Sequence, residues 1–408
     1  MLLLAAFLSV MPSAAQNGMN SPYSRYGLGV LSDQSNGLLK SMGGIGTGFR
    51  LRNTINLKNP ASYSSVDTLT FIADLGLSLQ NGNYEENDVR VNARNAQVDY
   101  MAMQFRVLPK VGMTVGFMPY SKTGYNFSGT RVVRRDEDGE IQSTGIFNGE
   151  GALRQFTGGL GWRPAEWLSV GANMSYLMGD ITHSLSSVFS SADVYSRTKT
   201  YQTEMKAFKF DFGAQATLKH NDNVLVLGAT WSPAKDLKAE TTVADVHTTG
   251  DTVSLENAFA LPQQMAFGMT YSWKNCMIGA DVSYQTWSTA RFFGESYGAD
   301  RLQASVGFRI LPDESSKRLM ERTSYQGGLS FSQPYFNVGD RKGPLEMSVS
   351  AGFSMPITTT YNSMSYIHVT GQLARVQPQE KGMICENYIR LSIGVTFMER
   401  WFMKWMVE

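Results

Sequence analysis

Residues 41–63 read SMGGIGTGFRLRNTINLKNPASY and separate two parts of the chain that differ in character. Few large apolar residues occur in this stretch, and its four closely spaced glycines are Gly43, Gly44, Gly46 and Gly48. Glycine reaches positive φ without steric cost, so compact irregular structure is favoured. Asn59-Pro60-Ala61 predicts a turn, because proline fixes its own φ and disfavours the helical region for the residue before it. We interpret residues 41–63 as a plug that a large β-barrel closes around, with an ordinary surface loop before a β-domain as the alternative.

The chain before this stretch begins with an apolar run, MLLLAAFLSVMPSAA, over residues 1–15. Small residues close the run, as at the cleavage site of a secretory signal peptide, although the usual positive n-region is missing. No cysteine follows the run, which argues against a lipoprotein anchor. We therefore expect three parts: a cleaved signal peptide at residues 1–15, an N-terminal arm and plug at 16–66, and a barrel at 67–408.

Composition limits the class of protein. The 408 residues carry a formal net charge of +1, so charge suggests neither nucleic acid nor an acidic partner. Beyond the leader no run of about 18 apolar residues occurs, which excludes helical membrane spans. Only Cys276 and Cys385 are present, too few for a disulfide scaffold, while Gly and aromatic residues are abundant. This profile fits an outer-membrane barrel or a large secreted β-sandwich.

From residue 68 onward the sequence alternates with a period of two. In residues 302–310 the apolar face holds Leu, Ala, Val, Phe and Ile, and the other face holds Gln, Ser, Gly and Arg. The same split occurs in residues 208–218, 265–273 and 389–397. Alternation over nine or more residues has the length of a tilted membrane strand. The second face is mostly small and polar with scattered charges, which favours a crowded, wet barrel lumen over the solvated surface of a sandwich.

About fourteen such segments occur, an even number as a closed bacterial barrel requires. They are residues 68–80, 97–108, 111–123, 151–163, 167–181, 201–220, 224–235, 263–273, 277–287, 301–311, 323–332, 345–356, 366–376 and 387–400. Short turns such as 108–110 and 273–275 alternate with long polar connections at 81–96, 124–150, 183–200 and 238–261. Every second connection of a barrel lies on the same side, so this alternation predicts an antiparallel transmembrane β-barrel with short periplasmic turns and long external loops.

Tryptophans lie near strand ends, at Trp162, Trp167, Trp273 and Trp287, and the last segment ends in FMERWFMKWMV at 397–407. Trp and Tyr favour the headgroup layer of a membrane, so these residues predict aromatic belts. An aromatic core of a soluble β-fold is the alternative.

The first part of the chain resembles a known family. MGGIGTG at residues 42–48, then Asn56 and Asn59-Pro60-Ala61, then about fourteen strands, is similar to the FadL-type hydrophobic-compound transporters of Gram-negative outer membranes. The resemblance implies a hatch inside a fourteen-stranded barrel. It also implies a plug or gate made of Gly43, Gly44, Gly46, Gly48, Asn56, Asn59, Pro60 and Ala61. One departure is that the family lines its lumen with an apolar pocket, whereas the inward face here is small and polar.

Two functions follow as hypotheses. The first is passive, plug-gated uptake of hydrophobic small molecules such as fatty acids, with Arg25, Arg50 and Arg52 as the charges most able to meet a carboxylate head group. The alternative is a non-transporting barrel that docks other outer-membrane or secreted proteins through its long external loops. We expect outer-membrane lipids, a hydrophobic ligand or detergent in the lumen, and other outer-membrane proteins as partners, and no nucleic acid.

Chemistry-bearing motifs are sparse. The four histidines, His183, His220, His247 and His368, do not lie at metal-ligand spacing with Cys or carboxylates, and His368 falls on the lumen face of its segment. The acidic run at 136–140 has a calcium-loop composition without the ligand spacing, so a solvated loop tip is favoured. We expect no metal, no cofactor and no enzymatic activity.

The two cysteines test the topology. The alternation of connections assigns Cys276 to the periplasmic rim and Cys385 to the outer rim, roughly 25 Å apart across the membrane. A disulfide needs Cα atoms within about 7 Å, so we expect two free thiols.

Overall fold

The computed structural model describes residues 18–136, 139–191, 195–245, 253–256, 259–290, 298–313, 315–359 and 363–400. The expected signal peptide and the end of the chain after Arg400 lie outside the described residues, as do Glu137 and Asp138 of the acidic run. Among the described residues, no helix is long and apolar enough to cross a membrane.

Fourteen strands form one closed antiparallel barrel. They are β1 Thr70–Glu86, β2 Val89–Leu108, β3 Val111–Asp136, β4 Gly139–Ala165, β5 Leu168–Phe189, β6 Arg197–His220, β7 Asn223–Ser232, β8 Gln264–Trp273, β9 Cys276–Gln285, β10 Arg301–Ile310, β11 Ser324–Ser332, β12 Leu345–Thr359, β13 Ser363–Gln377 and β14 Cys385–Arg400. Each pairs with the next, and β14 closes the barrel by pairing with β1 from Thr70↔Arg400 to Glu85↔Cys385. The fourteen-stranded barrel predicted from the period-two pattern is confirmed.

Apart from the 11-residue strand Lys235–Asp245, the other elements are short. The helices are Pro22–Arg25 (3-10), Gly37–Ser41 (α), Pro60–Ser65 (3-10), Trp287–Thr289 (3-10) and Leu319–Arg322 (α). The remaining strands are Val30–Leu31, Lys235–Asp245, Val253–Glu256, Phe259–Leu261, Asn337–Val338 and Arg341–Lys342. Val30–Leu31 pairs with Ser121 and Lys122 of β3. The N-terminal segment, defined as residues 18–66, therefore adds a small strand to the barrel wall.

The two faces of the wall divide as the alternation predicts. In β10, Val306, Phe308 and Ile310 are exposed on the outside, while Ser305 and Arg309 are buried toward the lumen. In β6, Phe210 and Phe212 face outward and Gln215 is buried. A sheet that exposes its apolar face and buries its polar face is inverted relative to a soluble sandwich, which is the arrangement of a barrel in a hydrocarbon solvent.

The two ends of the barrel differ. At the end that we call the short-turn end, Lys110, Asn221 and Lys274 adopt positive φ in tight turns. At the opposite, long-hairpin end, the expected long loops at 81–96 and 124–150 are largely strand, because β1–β4 continue as paired hairpins. Residues 238–261 likewise carry three short strands, one of which extends the β6 pairing. The prediction of loops there was wrong, since alternation weakens once neither face meets hydrocarbon.

Both cysteines are free, as expected. Cys276 lies in the tight β8–β9 turn opposite Trp273, and Cys385 pairs with Glu85 at the long-hairpin end. One aromatic assignment was wrong. Trp162 and Trp167 are more than half exposed at the short-turn end, but Trp287 is fully buried, with its ring centroid 4.5 Å from that of Tyr335.

Candidate functional site

The lumen is built in three layers, and the inward-facing residues of a single strand pass through all three. In β5, Gly171 lies against the N-terminal segment, Asn173 and Ser175 line a polar cavity, and Leu177 and Ile181 belong to an apolar cluster. In β4 the same order is Gly161, Gln155 and Leu153. The layers run from the short-turn end to the long-hairpin end.

The apolar layer, which we call the outer cluster, lies nearest the long hairpins. Its buried members are Tyr23, Leu28, Leu153, Leu177, Ile181, Met205, Ala207, Leu237, Ala239, Phe259, Leu261, Trp287, Ala290, Tyr335 and Phe336. The hydroxyl of Tyr335 accepts from the Leu28 amide at 3.1 Å and donates to carbonyl groups of Tyr26 and Gly29. The Tyr335 loop is thereby fastened over the N-terminal arm.

The middle layer is a cavity of ≈ 270 Å³ lined mainly by hydroxyl, amide and charged side chains. Four ion pairs lie on its wall: Lys40 with Asp99 at 2.5 Å, Lys58 with Asp33 at 3.4 Å, Arg390 with Glu346 at 3.6 Å, and Lys209 with Asp211. Burying such groups is costly unless they are paired or hydrated. The cavity therefore suits water and polar solutes and penalises an apolar molecule.

The third layer is the part of the N-terminal segment from residue 36 onward, whose apolar side chains Leu39, Met42, Ile45, Phe49 and Ile55 are fully buried. Its groups meet the inward face of all fourteen strands. The contacts run, from β1 to β14, through Asp74, Tyr100, Gly112, Gly161, Gly171, Gln215, Gly228, Thr270, Asp281, Gly307, Gln326, Ser350, Thr370 and Gly394.

Gly43 and Gly44 follow the short helix Gly37–Ser41 with φ of +70° and +79°. The Gly44 amide donates to the Leu39 carbonyl at 2.8 Å, which ends the helix with glycine in the left-handed region. The Gly43 amide donates to Ser350 Oγ at 3.0 Å, and a Cβ on Gly43 would lie 2.7 Å from the Leu329 carbonyl oxygen. Gly43 is therefore needed both for its φ and for its close approach to the wall.

Asn56 and Asn59 hold the rest of the glycine stretch, defined as residues 43–48. Asn56, 1% exposed, donates to the carbonyls of Gly46 and Phe49 at 2.6 and 2.9 Å. Asn59 caps the 3-10 helix that Pro60 begins: its Oδ1 accepts from the Ala61 amide at 3.1 Å, while its Nδ2 donates to the Thr47 carbonyl at 2.7 Å. Gly48, also against the wall, would place a Cβ 2.7 Å from Met269 Cα.

Asp281 on β9 makes the main charged contact of the wall with the glycine stretch. Its Oδ2 accepts from the amides of Gly46 and Thr47 at 2.6 and 2.7 Å. Consecutive amides that converge on one carboxylate oxygen form an anion-binding concavity. The sequence reasoning missed Asp281, although its position on an inward column next to a glycine-rich segment was a usable signal.

A ring of inward glycines, here called the glycine ring, is the second feature that was missed. Several of its members are paired across neighbouring strands, as in Gly112↔Gly161, Gly161↔Gly171, Gly171↔Gly213, Gly228↔Gly268, Gly279↔Gly307 and Gly307↔Gly328. A Cβ at Gly228 would collide with the Thr47 carbonyl, and one at Gly112 with the Tyr63 carbonyl. These glycines let backbone approach backbone. Alternating glycines at matched depth in successive strands were the available signal.

The three arginines proposed to bind a carboxylate are not brought together. Arg25 stacks over the Phe147 ring at 4.4 Å near the long-hairpin end, and Arg52 pairs with Asp67 at 3.5 Å on the exposed surface. Arg50 donates to the Ala61 carbonyl at 3.0 Å, to Ser64 and to Gln215. Arg50 therefore fastens the N-terminal segment to itself and to β6.

Electrostatics agrees with this assignment. Burial, together with the charge of Arg163, lowers the pKa of Arg50 to about 10, so its guanidinium remains charged at neutral pH. Burial favours the neutral form of Asp33, but the ammonium groups of Lys58 and Lys40 outweigh it and lower the pKa of Asp33 below its ordinary value. Lys58 Nζ lies 3.4 Å from Asp33 and also donates to the Gly44 carbonyl.

Other sequence-predicted features keep modest roles. His368 is buried between Ser354 Oγ at 2.6 Å and Thr396 Oγ1 at 2.9 Å, as a polar residue of the wall. Within the parts of the chain that the structure describes, no group of three His, Cys, Asp or Glu side chains is placed to hold a metal ion.

Three solved structures share the fold. They are a FadL homologue of Pseudomonas aeruginosa (11% identity, TM-score 0.62, covering 91% of this chain and 100% of that one), the toluene transporter TbuX of Ralstonia pickettii (12%, 0.59, 91% and 99%) and the toluene transporter TodX of Pseudomonas putida (14%, 0.57, 91% and 100%). No curated protein matches the chain in sequence. The fold is thus FadL-like, at an identity that shows architecture alone.

Sequence family gives the more specific assignment. The BamG family model matches residues 1–407, almost the whole chain. On that match, this protein belongs to the BamG family.

Proposed function

We propose that this chain is an outer-membrane β-barrel that does not conduct a hydrophobic cargo and instead docks other outer-membrane or secreted proteins through its long hairpins. The observation that carries the proposal is the layered lumen. A molecule on the axial route meets the outer cluster, then the polar cavity, then the part of the N-terminal segment that contacts every strand of the wall.

An apolar cargo is disfavoured in each layer below the outer cluster. The cavity offers ion pairs and hydroxyl groups instead of the apolar lining that such a ligand requires. The segment below it is held by a carboxylate, by buried amides and by backbone contacts with the glycine ring. Moving it would break many of these contacts at once, each hydrogen bond worth about 1 kcal/mol.

The long hairpins supply the docking surface in this proposal. Strands β3 and β4 have 26 and 27 residues, whereas β7–β10 have 10 each. At about 3.3 Å per residue, the additional residues of β3 and β4 extend well past the hydrocarbon layer of a membrane. On this hairpin Val132 is 41% exposed and Ile146 is 38% exposed. Both present apolar surface to water unless a partner covers them.

Plug-gated uptake of a hydrophobic molecule is the second candidate. The FadL-like fold and the absence of a covalent tie between the segment and the wall favour it. The glycines of residues 43–48 and Asn56, Asn59, Pro60 and Ala61 would then form the gate. Neither candidate assigns a chemical step to the chain.

Reconstitution distinguishes the two functions. The docking function predicts no conductance in planar bilayers and no entry of toluene or fatty acid into liposomes, beyond the values measured for membranes without the protein. Removing residues 126–147 from the β3–β4 hairpin should abolish cross-linking to partners in intact cells, while shortening the β1–β2 hairpin by residues 84–91 serves as the matched control. Uptake by the wild type, or cross-links unchanged by the β3–β4 deletion, would overturn the docking function.

A further inference from the structure

The outward surface of β13, β14, β1 and β2 changes from apolar to polar toward the long-hairpin end. Leu373, Ile389 and Leu79 are 60%, 54% and 57% exposed, and each is followed toward the long-hairpin end by a polar outward residue. The strand register joins four polar outward residues into a row, defined as Arg375, Asn387, Asn83 and Asn92, and Asn81 lies between Leu79 and this row. The row marks the upper edge of the apolar belt on this face.

Three arginines on this face are exposed: Arg90, which pairs with Glu85 at 2.8 Å, Arg94 and Arg375. Arg375 opens the row, and Arg94 lies on β2 beside Asn81, immediately below the row. In the described part of the chain neither guanidinium has a hydrogen bond or an ion pair. The asparagines are ordered by one another, since Asn92 Nδ2 donates to the Oδ1 atoms of Asn83 at 2.6 Å and Asn81 at 2.8 Å.

An open groove of ≈ 760 Å³ runs across the outward surface of β10–β14 and reaches the Arg375 end of the row. Its apolar wall includes Val306, Leu329, Val349, Leu373 and Ile389, all outward and exposed. Its polar end is formed by Arg375, Asn387 and Asn83. One open groove thus joins an apolar surface to an unpaired guanidinium.

We propose that this face binds a lipid with a phosphorylated headgroup, the acyl chain lying in the groove and the phosphate held by Arg375. The inference rests on the proposed membrane location. Guanidinium groups recognise phosphate by charge-assisted, bidentate hydrogen bonds, and an unpaired arginine at the edge of a hydrocarbon belt sits where headgroups lie. Arg94, about three strand spacings or ~14 Å away, adds attraction at longer range.

Native mass spectrometry of the full chain in neutral detergent tests the site. The probes are dioleoyl phosphatidic acid and dioleoylglycerol, which differ only in the phosphate, with inorganic phosphate as competitor. We expect selective binding of phosphatidic acid, weakened about tenfold by R375Q and two- to threefold by R94Q. R131Q, which removes an exposed arginine of the β3 hairpin, is the matched control and should bind as the wild type does.

A second variant, V349W, fills the groove and should weaken phosphatidic acid while leaving both arginines in place. Heat-modifiable migration of each variant confirms that the barrel is folded. Equal binding of the two lipids, or equal loss in R375Q and R131Q, overturns the proposal. Full displacement by inorganic phosphate assigns the cation to free phosphate, and a cross-linked protein lost only in R375Q assigns the face to a protein; either result also overturns it. None of these readouts depends on conductance, and none requires a protein to dock on the β3–β4 hairpin, so failure here is separable from failure of the docking function.

Discussion

At the residue scale, one carboxylate carries the charged anchoring of the glycine stretch. Asp281 receives two backbone amides at 2.6 and 2.7 Å, and its own position is fixed by the β9 ladder. Hydrogen bonds to a charged group contribute about 1.5–3 kcal/mol each. A single side chain therefore accounts for a large share of the local stability of residues 46–47.

We expect D281N to loosen this anchor, because an amide is a weaker acceptor and brings a donor toward two donors. Amide hydrogen exchange of peptides that contain residues 44–50 should quicken by about tenfold or more. D211N is the control, since Asp211 pairs with Lys209 and Ser232 and makes no contact with the glycine stretch. Equal exchange in D281N and the wild type would contradict the role of Asp281.

Asp33 gives a pH dependence whose direction follows from its lowered pKa. A carboxyl with a folded-state pKa below its unfolded value, about 3.9, stabilises the fold above that value and loses the contribution as pH falls through the folded pKa. The effect is modest, because the side chain is 43% exposed to the internal cavity. We expect the thermal midpoint in detergent to fall below about pH 4, and to fall less steeply in D33N. D67N, which alters an exposed pair, is the comparison; identical pH profiles for wild type and D33N would exclude the effect.

At the element scale, the glycine ring determines how closely the segment approaches the wall. Neither a turn nor a bulge requires these glycines; the carbonyl groups of the segment occupy the space that their Cβ atoms would fill. Side chains at that depth would push the segment away from several strands at once, because closely packed backbones can move only slightly.

Gly228 offers the cleanest test of the ring. G228A should displace Thr47 and raise proteolysis of the N-terminal segment in folded barrels, whereas G158A should change nothing, since no atom lies within 4 Å of a Cβ there. Limited proteolysis followed by intact-mass analysis measures both. Should G228A and G158A be digested alike, the ring would not position the segment.

At the scale of the whole molecule, the parity of the strands separates the two cysteines. Cys276 lies in the tight turn at the short-turn end and Cys385 at the start of β14 near the long hairpins. In intact cells a membrane-impermeant maleimide should label Cys385 and leave Cys276 unmodified, while both react after the cells are broken. C385S and C276S identify the labelled site. Labelling of Cys276 in intact cells would reverse the orientation.

The sequence alone predicts the barrel, its strand count and, in residues 208–218, 265–273, 302–310 and 389–397, the outward face, because alternation is a local pattern and hydrocarbon outside the wall selects apolar outward side chains. Loops at 81–96 and 124–150 and the interface position of Trp287 were mispredicted where that solvent no longer acts. Only the tertiary structure brought Asp281, the glycine ring and the fourteen contacts of the N-terminal segment together. Those contacts join residues hundreds of positions apart, and one sequence carries no local signal for which inward side chain meets which backbone group once the barrel closes.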